Sequence, residues 1–424
     1  LKKERRTRLG VSVMITKSQA SQLTELLRLP EATVEDIAVV DGFGLFFIIS
    51  STRRDAECPR CGKRSRHVHT NHRYNIEDLP WNEQSVILRV NRRQFWCQNC
   101  RQVFSEELAF VKKNRLYTQR LANQIVSQVL GSNIHNVAVR TGLSDEQIET
   151  MIKDAGEVHL AEVPKLLKYL GIDEIAVIKG QGHYYGVLVN LETHQPITVL
   201  PSRTQEALRQ VFNQWGAEVL KGITGVSMDL WRPYQSLVEE MMPNATVVAD
   251  RFHVMKLLND ELDEQRKAEK RAAKKITKKA ERERVLKGIT GSKYVLLKNE
   301  KDLNKRQREK LREVSEVSPT LAKMHRLKEE FREIFEVSES WAEGTLGLLD
   351  WMTDSSTLFK RSCGTIKRWF DEVTSYFELR ITNGVVEGIN NKFKLIKRLG
   401  YGFSNFDNFK LRALLPWAFP FETA

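Results

Sequence analysis

The most constraining stretch of this chain is a run of three short apolar strands separated by two turns. The strands are predicted at 172–178, 184–189 and 196–200, and the turns at 180–182 and 192–195. The first two strands are apolar on both alternating faces, which is typical of the middle of a sheet covered on two sides. Asp173 nevertheless lies near the start of the first strand. Because a buried carboxylate is costly, we expect Asp173 to have a functional reason for its position.

The pattern after these strands predicts the rest of the sheet. It consists of a helix at 204–215, a strand at 223–228, a helix at 230–242 and a strand at 246–249. This order is that of an α/β RNase H-like domain, in which the first and fourth strands are neighbours. Asp229 directly follows the fourth strand and Asp250 the fifth. We therefore expect Asp173 and Asp229 to face one cleft.

A long, highly charged helical insertion interrupts this domain after the fifth strand, and the chain then returns with a helix at 383–399. One face of that helix is apolar, which predicts that it is buried. The opposite face presents a carboxylate followed by amide and basic groups at helical spacing: Glu387, Asn391, Lys394 and Arg398. Such a face can hold a metal ion at one end and follow phosphates along its length.

Asp173, Asp229 and Glu387 are the candidate catalytic acids and Mg²⁺ ligands. Clustered carboxylates can hold two Mg²⁺ ions for the in-line displacement of a phosphodiester, and Mn²⁺ is a possible substitute. Several alternatives remain open for these and the neighbouring residues. Glu174 could replace Asp173, Asp229 could cap the following helix, Asp250 could be the third ligand or a helix cap, and His253 could be a packed histidine.

Two C-x-x-C pairs predict a structural zinc site, with the ligands Cys58, Cys61, Cys97 and Cys100. The alternatives are a mixed site in which a histidine replaces a thiolate, from the candidates His67, His69 and His72, and no bound metal. Basic residues surround the cysteines, and we assign DNA-phosphate contacts to Arg60, Lys63, Arg64, Arg92 and Arg93. A solvated basic face is the simpler interpretation of the same residues.

Residues 118–155 have the pattern of three short helices, with a tight turn at Gly142 before the third. Ser144 and Gln147 form a predicted capping box, so the last two helices resemble a helix-turn-helix, although any three-helix bundle gives a similar pattern.

The predicted domains of the whole chain are an N-terminal lead and small α/β preamble (1–55), a zinc ribbon (56–110), a helix-turn-helix (111–160), the first part of the catalytic domain (165–254), the α-helical insertion (255–380) and the C-terminal part of the catalytic domain (381–424).

The charge balance favours a polyanionic partner. The 424 residues include 67 Lys and Arg against 54 Asp and Glu, a net charge of +13. We expect a cytoplasmic protein, because the sequence has no apolar run long enough for a membrane span and no signal-peptide pattern, and because paired cysteines in a reducing compartment favour metal over disulfides. The chain begins at Leu1, and we expect Met14 to be the native start.

Four segments resemble, in order, those of the DDE transposases of bacterial insertion sequences, specifically the ISL-three group. They are GIDE at 171–174, SMDLW at 227–231, VADRFHV at 248–254 and NGVVEGINNKFKLIKRLGYGFSNFDNFKLR at 383–412. The zinc ribbon and helix-turn-helix extend the resemblance to nearly the whole chain from about residue 45. It implies that Asp173, Asp229 and Glu387 hold two Mg²⁺ ions, and that Asp250 and His253 form a D-x-x-H element beside them.

The resemblance also implies partners and an activity. We expect binding to double-stranded DNA, at the terminal inverted repeats of an element and at a target, with Mg²⁺-dependent strand cleavage and strand transfer. A homodimer or higher oligomer on DNA and an association with the nucleoid would follow. The alternatives are a DNA-binding regulator derived from a transposase, whose sheet is only a scaffold, and a structure-selective nuclease that does not join DNA.

Overall fold

The computed structural model describes residues 11–13, 15–160, 163–176, 184–403 and 405–419. The chain forms two compact units, Leu1–His159 with Phe419–Ala424 and Leu160–Ala418. Residues 1–10 and Met14 of the lead, the end of the first predicted strand at 177–178 and the turn at 180–182 lie outside the described residues. Among the residues that are described, no helix has the length and apolar character needed to cross a membrane.

The first unit is built on a mixed sheet. Its elements are β1 (Val11–Val13), α1 (Lys17–Leu27), β2 (Ala32–Val40), β3 (Gly44–Ser51), a short pair β4 (Ala56–Glu57) and β5 (Arg64–Ser65), β6 (Val68–Trp81), β7 (Gln84–Cys97) and β8 (Gln102–Ser105). The strand order is β1-β2-β3-β7-β6, and β8 pairs with β7. The preamble and the zinc-ribbon segment, which we predicted as separate domains, therefore share one sheet.

The parallel contact between β3 and β7 joins these two segments. Phe47 lies opposite Leu88 in its register, and both side chains are fully buried. Gly44 begins β3 at φ 106°, where a Cβ would lie 2.2 Å from the Ser85 carbonyl oxygen. Only glycine fits this close approach of two backbones without strain.

Three helices follow the sheet in the first unit: α2 (Gln119–Leu130), α3 (Ile134–Thr141) and α4 (Asp145–His159). The turn between α3 and α4 contains Gly142 in the left-handed conformation, at φ 74°. The predicted capping box is present, because the Gln147 N–H donates to the Ser144 hydroxyl at 3.2 Å and the Ser144 N–H donates to the Gln147 side chain at 3.0 Å. Apolar residues at helical spacing bury one face of α2 and one of α4.

A buried ion cluster holds α4 against the segment that enters α2. The Asp154 carboxylate, 6% exposed, accepts hydrogen bonds from the Arg115 guanidinium at 2.6 and 2.7 Å, from Lys112 at 3.0 Å and from the Tyr117 hydroxyl at 3.0 Å. Burial alone would raise the pKa of Asp154, but these donors outweigh it and lower the pKa to about 2.

The second unit contains the sheet that the sequence predicts. Its elements are β9 (Tyr169–Ala176), β10 (Tyr184–Asn190), β11 (Gln195–Leu200), α5 (Gln205–Trp215), α6 (Ala217–Gly222), β12 (Gly225–Met228), α7 (Arg232–Met241) and β13 (Thr246–Ala249). The strand order is β11-β10-β9-β12-β13. The β11–β10 and β10–β9 pairs are antiparallel, whereas β12 is parallel to both β9 and β13. The first and fourth strands of this sheet are thus neighbours, as expected.

The helical insertion begins directly after β13. It contains α8 (Arg251–Ala273), α9 (Lys279–Ile289), α10 (Lys293–Leu297), a 3-10 turn at Glu300–Asp302, α11 (Lys305–Val317), α12 (Pro319–Val337), α13 (Trp341–Ser355), α14 (Lys360–Arg368) and α15 (Phe370–Leu379). Aromatic side chains form much of its core, for example Phe331 against Trp351 at 4.7 Å and Phe335 against Phe377 at 4.9 Å between ring centroids. Since α15 packs on β13, the insertion and the sheet share one apolar core.

The chain returns to the sheet through α16 (Gly384–Leu399) and α17 (Phe406–Ala418). Helix α16 lies close against β9 at Gly171, where a Cβ would come within 3.1 Å of both Asn383 and Val386. Asn383 occupies the N-cap position as predicted, but its side chain does not cap the helix and instead donates to the Ile172 carbonyl at 3.2 Å. The buried Val386, together with this bond, fixes α16 on the first strand.

We predict that Asp154→Asn lowers the free energy of unfolding of the first unit by about 1–3 kcal/mol at neutral pH, because the partly buried Lys112 and Arg115 would lose their carboxylate. The pKa of Asp154 is lowered on folding, so its stabilisation is fully present above the ordinary pKa near 4 and is lost as the pH falls toward about 2. The difference from wild type should therefore narrow below about pH 4.

Urea denaturation followed by circular dichroism at several pH values checks this expectation. Glu157→Gln is the matched control, since Glu157 also binds Lys112, at 2.7 Å, but is largely exposed. An equal loss of stability in both variants would contradict the role of Asp154.

Candidate functional site

The four predicted zinc ligands lie together. The sulfurs of Cys58 and Cys100 are 3.9 Å apart and those of Cys61 and Cys97 are 3.7 Å apart, with all four within 4.8 Å of one another. A tetrahedral zinc site with Zn–S bonds of about 2.3 Å has sulfur–sulfur edges of about 3.8 Å, so this arrangement fits zinc. Among the described residues this group consists of cysteines alone, and the histidine candidates lie outside it.

Local backbone structure places the sulfurs. In the first turn the Cys58 N–H donates to the Lys63 carbonyl at 3.0 Å and the Gly62 N–H to the Cys58 carbonyl at 2.9 Å. The Lys63 backbone lowers the pKa of Cys61 to about 7, while the Cys61 sulfur raises the pKa of Cys100 to about 12. Four thiolates at this spacing repel one another, so the cluster needs a bound cation to be fully ionised.

The basic residues near the cysteines fall into two groups. Arg60, Lys63 and Arg64 are exposed, and they lie on or directly beside the first cysteine turn. Arg92 donates to the Glu106 carbonyl at 2.8 Å, and Arg93 binds the buried Glu106 carboxylate at 2.6 Å. The latter two therefore hold β7 to the segment after β8 and are less available to DNA than the first three.

The second candidate site follows from the register of the parallel strands. Met228 lies opposite Ile172 of β9 on one side and opposite Ala249 of β13 on the other. The residue that follows each of the three is an aspartate, and partners in a parallel register direct their side chains to the same face about 4.8 Å apart. The resulting row consists of Asp173, Asp229 and Asp250.

His253 lies between two of these carboxylates. Its Nδ1 atom is 2.7 Å from an oxygen of Asp250 and 2.7 Å from Oδ1 of Asp229. Burial would lower the pKa of His253, but the adjacent carboxylates of Asp229 and Asp250 raise it to about 10, so the ring is an imidazolium. Among the described residues, these three side chains form the one group of three or more potential metal ligands that includes carboxylates and whose ligand atoms all lie within 4.8 Å of one another.

One nitrogen cannot satisfy both aspartates. The better-directed hydrogen bond goes to Asp250, and the buried Oδ1 atom of Asp229 keeps a 2.7 Å ion-pair contact with the same nitrogen but no hydrogen bond of its own among the described residues. Asp229 does not cap the next helix either, because α7 has no side-chain cap. A buried carboxylate oxygen that must share a single N–H with another acid fits a site for a hard divalent cation such as Mg²⁺.

Asp173 lies at the opposite end of the row from Asp250. Burial, followed by the charge of Asp229, raises the pKa of Asp173 to about 7. Its Oδ2 atom accepts a hydrogen bond from the Asn390 amide at 2.7 Å. The neighbouring Glu174 instead binds Arg203 at 2.8 Å and Tyr234 at 3.1 Å, so it is not placed to replace Asp173.

Glu387 is exposed in the first turn of α16 and lies outside the group of Asp229, Asp250 and His253. It borders an open pocket of about 410 Å³ to which Asp250 also contributes. Asp250 is buried and caps α8, since it accepts from the Phe252 N–H at 3.2 Å. The other polar residues predicted on the face of Glu387 are exposed as well: Asn391, Lys394 and Arg398.

Sequence reasoning missed Asn390, which lies next to the predicted Asn391 but on the buried face of α16. Asn390 is 4% exposed, and its side-chain oxygen has no partner among the described residues. The sequence does contain a sign of its role: Asn390 is an amide within the apolar stripe of the helix, four residues after Val386 and three before Phe393. A polar residue at such a position requires a hydrogen-bond partner, and Asp173 supplies it.

Comparisons with known proteins cover both sites. Residues 170–413 match the ISL3 model described as transposase, and residues 54–100 match a model described as the zinc-finger of transposases IS204, IS1001, IS1096 and IS1165. The chain is 28% identical over 384 residues to the transposase for insertion sequence element IS1001 of Bordetella parapertussis, with 88% of this chain and 92% of that protein covered. It is also 28% identical over 257 residues to the transposase for IS1557 of two Mycobacterium tuberculosis strains, which covers 56% of this chain and 57% of theirs.

We predict that the purified protein contains one zinc ion per cysteine cluster, and that Cys97→Ser loses it because three thiolates bind zinc far more weakly than four. Metal analysis by mass spectrometry after dialysis measures the content. Cys363→Ser is the control, since Cys363 is a buried cysteine outside the cluster. Equal zinc content in the two variants would show that the cluster does not hold the metal.

We also predict that Asn390→Ala weakens Mg²⁺ binding by roughly tenfold or more, because a side chain that orients a metal ligand is lost. The measurement is the rise in melting temperature of the DNA-free protein as Mg²⁺ is added. Asn391→Ala is the matched control: the neighbouring asparagine is exposed, and its variant should respond like wild type. Identical Mg²⁺ responses in all three proteins would contradict the role of Asn390.

Proposed function

The chain belongs to the ISL3 family of insertion-sequence transposases, and we propose that it cuts DNA at the ends of its element and joins the freed ends to target DNA. The observation that carries this proposal is the acidic row formed by Asp173 within β9 and by the aspartates that directly follow the parallel strands β12 and β13, in which the buried Asp229 Oδ1 atom shares the His253 nitrogen with Asp250. Carboxylates in this arrangement suit metal-dependent phosphoryl transfer.

The strand order supports an RNase H-like catalytic domain. The order β11-β10-β9-β12-β13, with two antiparallel pairs followed by two parallel pairs, is the order expected of that fold. The long helical insertion then lies between the fifth strand and α16. With this placement, Glu387, from a helix far along the chain, would serve as the third acid.

Asp173, Asp229 and Glu387 are the residues that would hold two Mg²⁺ ions, or Mn²⁺ in their place. When bound, such ions activate the attacking oxygen and neutralise the charge on the leaving oxygen. Two neighbouring side chains of the protein hold these carboxylates in position. Asn390 orients Asp173 by its 2.7 Å hydrogen bond, and the His253 imidazolium holds Asp229 and Asp250 in place.

Two phosphoryl transfers make up the proposed reaction. Water attacks the phosphorus at the element end, the bond to the 3′ oxygen breaks, and a 3′-hydroxyl and a 5′-phosphate result. The 3′-hydroxyl then attacks a phosphodiester of the target, whose own bond to a 3′ oxygen breaks as the new one forms. The same carboxylates serve both steps, since both are in-line displacements at phosphorus.

Recognition of the terminal inverted repeats would fall to the first unit. Helices α3 and α4, with the tight turn at Gly142, support a helix-turn-helix. Arg60, Lys63 and Arg64 beside the cysteine cluster would contact phosphates. The exposed face of α16, with Asn391, Lys394 and Arg398, would follow the backbone of the DNA that enters the acidic site.

The net charge of +13 suits such a DNA partner and an association with the bacterial nucleoid in the cytoplasm. Joining two element ends requires the ends to be held together, so we propose a homodimer or a higher oligomer on DNA. The regulator and the structure-selective nuclease are the competing functions, and the activity of the acidic site distinguishes them from a transposase.

We expect Asp229→Asn to reduce Mg²⁺-dependent cleavage of DNA carrying the element ends by more than roughly a hundredfold while DNA binding persists, because a metal ligand is lost. Glu174→Gln is the matched control, since this adjacent acid binds Arg203 and Tyr234 away from the row. Gel assays of cleaved and joined products measure both steps.

The same assay assigns the third acid. Loss of cleavage in Glu387→Gln but not in Asp250→Asn would support Glu387, and the reverse would move the ligand to Asp250. Specific binding by wild type without cleavage would favour the regulator, and cleavage without joined product would favour the nuclease. Wild-type cleavage by Asp229→Asn would refute the metal site.

A further inference from the structure

The pocket bordered by Asp250 and Glu387 has an apolar interior beside the acidic row. Its volume of about 410 Å³ lies in the range of small-ligand sites, and Phe252, Met255 and Leu297 contribute its apolar wall. The acidic row is the place where a phosphodiester would be cut. A pocket at that position is therefore within reach of the nucleotides next to the cut.

Phe252 is the aromatic ring in the lining of this pocket. It occupies the first turn of α8, and its side chain is 50% exposed, whereas Val254, Leu258 and Leu262 of the same helix are buried. Phe252 is therefore not part of the core of the helix. An exposed phenylalanine face can stack on a nucleobase of any identity.

Polar groups of α8 lie beside this ring. Lys256 and Asn259 follow Phe252 by four and seven residues, so the three share one helix face, and all three line the pocket. The Oδ1 atom of Asn259 is buried and has no hydrogen-bond partner among the described residues. Such an oxygen can accept a hydrogen bond from an amino or imino group of a ligand.

The charges of the pocket favour a base over a phosphate as the inner ligand. Arg251 is 3.3 Å from Glu336, and Arg332 is bound to Glu329. Two of the three cations in the lining are therefore already neutralised, and the exposed Lys256 remains on the same side of the helix as Phe252. An aromatic ring, an amide acceptor and one exposed cation suit a nucleotide whose base lies inside the pocket and whose phosphate lies outside it.

We propose that this pocket receives one nucleotide unpaired from the DNA end that is being cut, with its base stacked on Phe252 and an edge bonded to Asn259. This site rests on the proposed function, because the DNA end is its source of ligand. Extrusion would open the duplex beside the acidic row and give the carboxylates access to the scissile phosphate. The cost of unpairing would be offset by stacking in the pocket.

The test compares two substrates. One is a duplex containing the element end with every base paired, and the other carries mismatches at the base pairs next to the scissile phosphate. Phe252→Ala should slow Mg²⁺-dependent cleavage of the paired substrate by roughly tenfold or more, as expected from the loss of one stacked base. The mismatched substrate should recover most of that loss, since its base is already unpaired.

Two further variants separate stacking from folding. Phe252→Trp keeps an aromatic face and should retain cleavage of the paired substrate. Tyr294→Ala removes an aromatic ring that is 75% exposed and does not line the pocket, and it should cleave both substrates like wild type. A defect in Phe252→Ala that is equal on the two substrates would indicate a structural role and overturn the proposal.

A binding measurement without cleavage keeps the two proposals distinguishable. In the absence of Mg²⁺, 2-aminopurine placed beside the scissile phosphate should fluoresce more strongly with wild type than with Phe252→Ala, at equal DNA occupancy. If wild type does not cleave but gives this signal, the transposase proposal fails and the pocket stands. If wild type cleaves, and Phe252→Ala matches it in cleavage and fluorescence, the pocket proposal fails and the transposase proposal stands.

Discussion

The parallel pairing of β12 with β9 and β13 is the constraint on which the acidic site depends. It places Asp173, Asp229 and Asp250 in one row, about one strand spacing apart. Two ionised carboxylates at that distance repel by about 3–4 kcal/mol at an effective dielectric constant near 20. The fold opposes this repulsion with the His253 imidazolium and the Asn390 amide. The remaining repulsion is an energetic cost that the rest of the domain must offset, and a bound cation would reduce it.

The surrounding packing explains how distant parts of the chain meet at this row. Helix α8 starts directly after Asp250, the last acid of the row. Helix α16 returns to β9, and at Gly171 this helix and the strand are too close together to leave room for a side chain. The shared apolar core of sheet and insertion holds both helices. A helical insertion of this size thus adds walls to the site without separating its acids.

The sequence predicted the strands of the second sheet, the aspartates that follow β12 and β13, and the cysteine cluster. Each depends on a local pattern or on a spacing that one ligand geometry requires. The sequence did not reveal the parallel pairing of β3 with β7, since nothing local in Phe47 or Leu88 identifies its partner strand. Asn390 was missed because helical periodicity marks it only as a polar residue on an apolar face. Interactions across long sequence separation, such as that of Asn390 with Asp173, arise only when the fold is complete.

The length of α8 has a geometric consequence. Its 23 residues extend for about 34 Å from the Asp250 cap to a last turn that carries Lys270 and Arg271. That distance equals about ten base pairs of B-form DNA, close to one turn of the duplex. Helix α8 therefore has the acidic row at its start and cations in its last turn. A duplex lying along α8 would meet the basic end about one turn of DNA away from the acidic row, on the same side of the DNA.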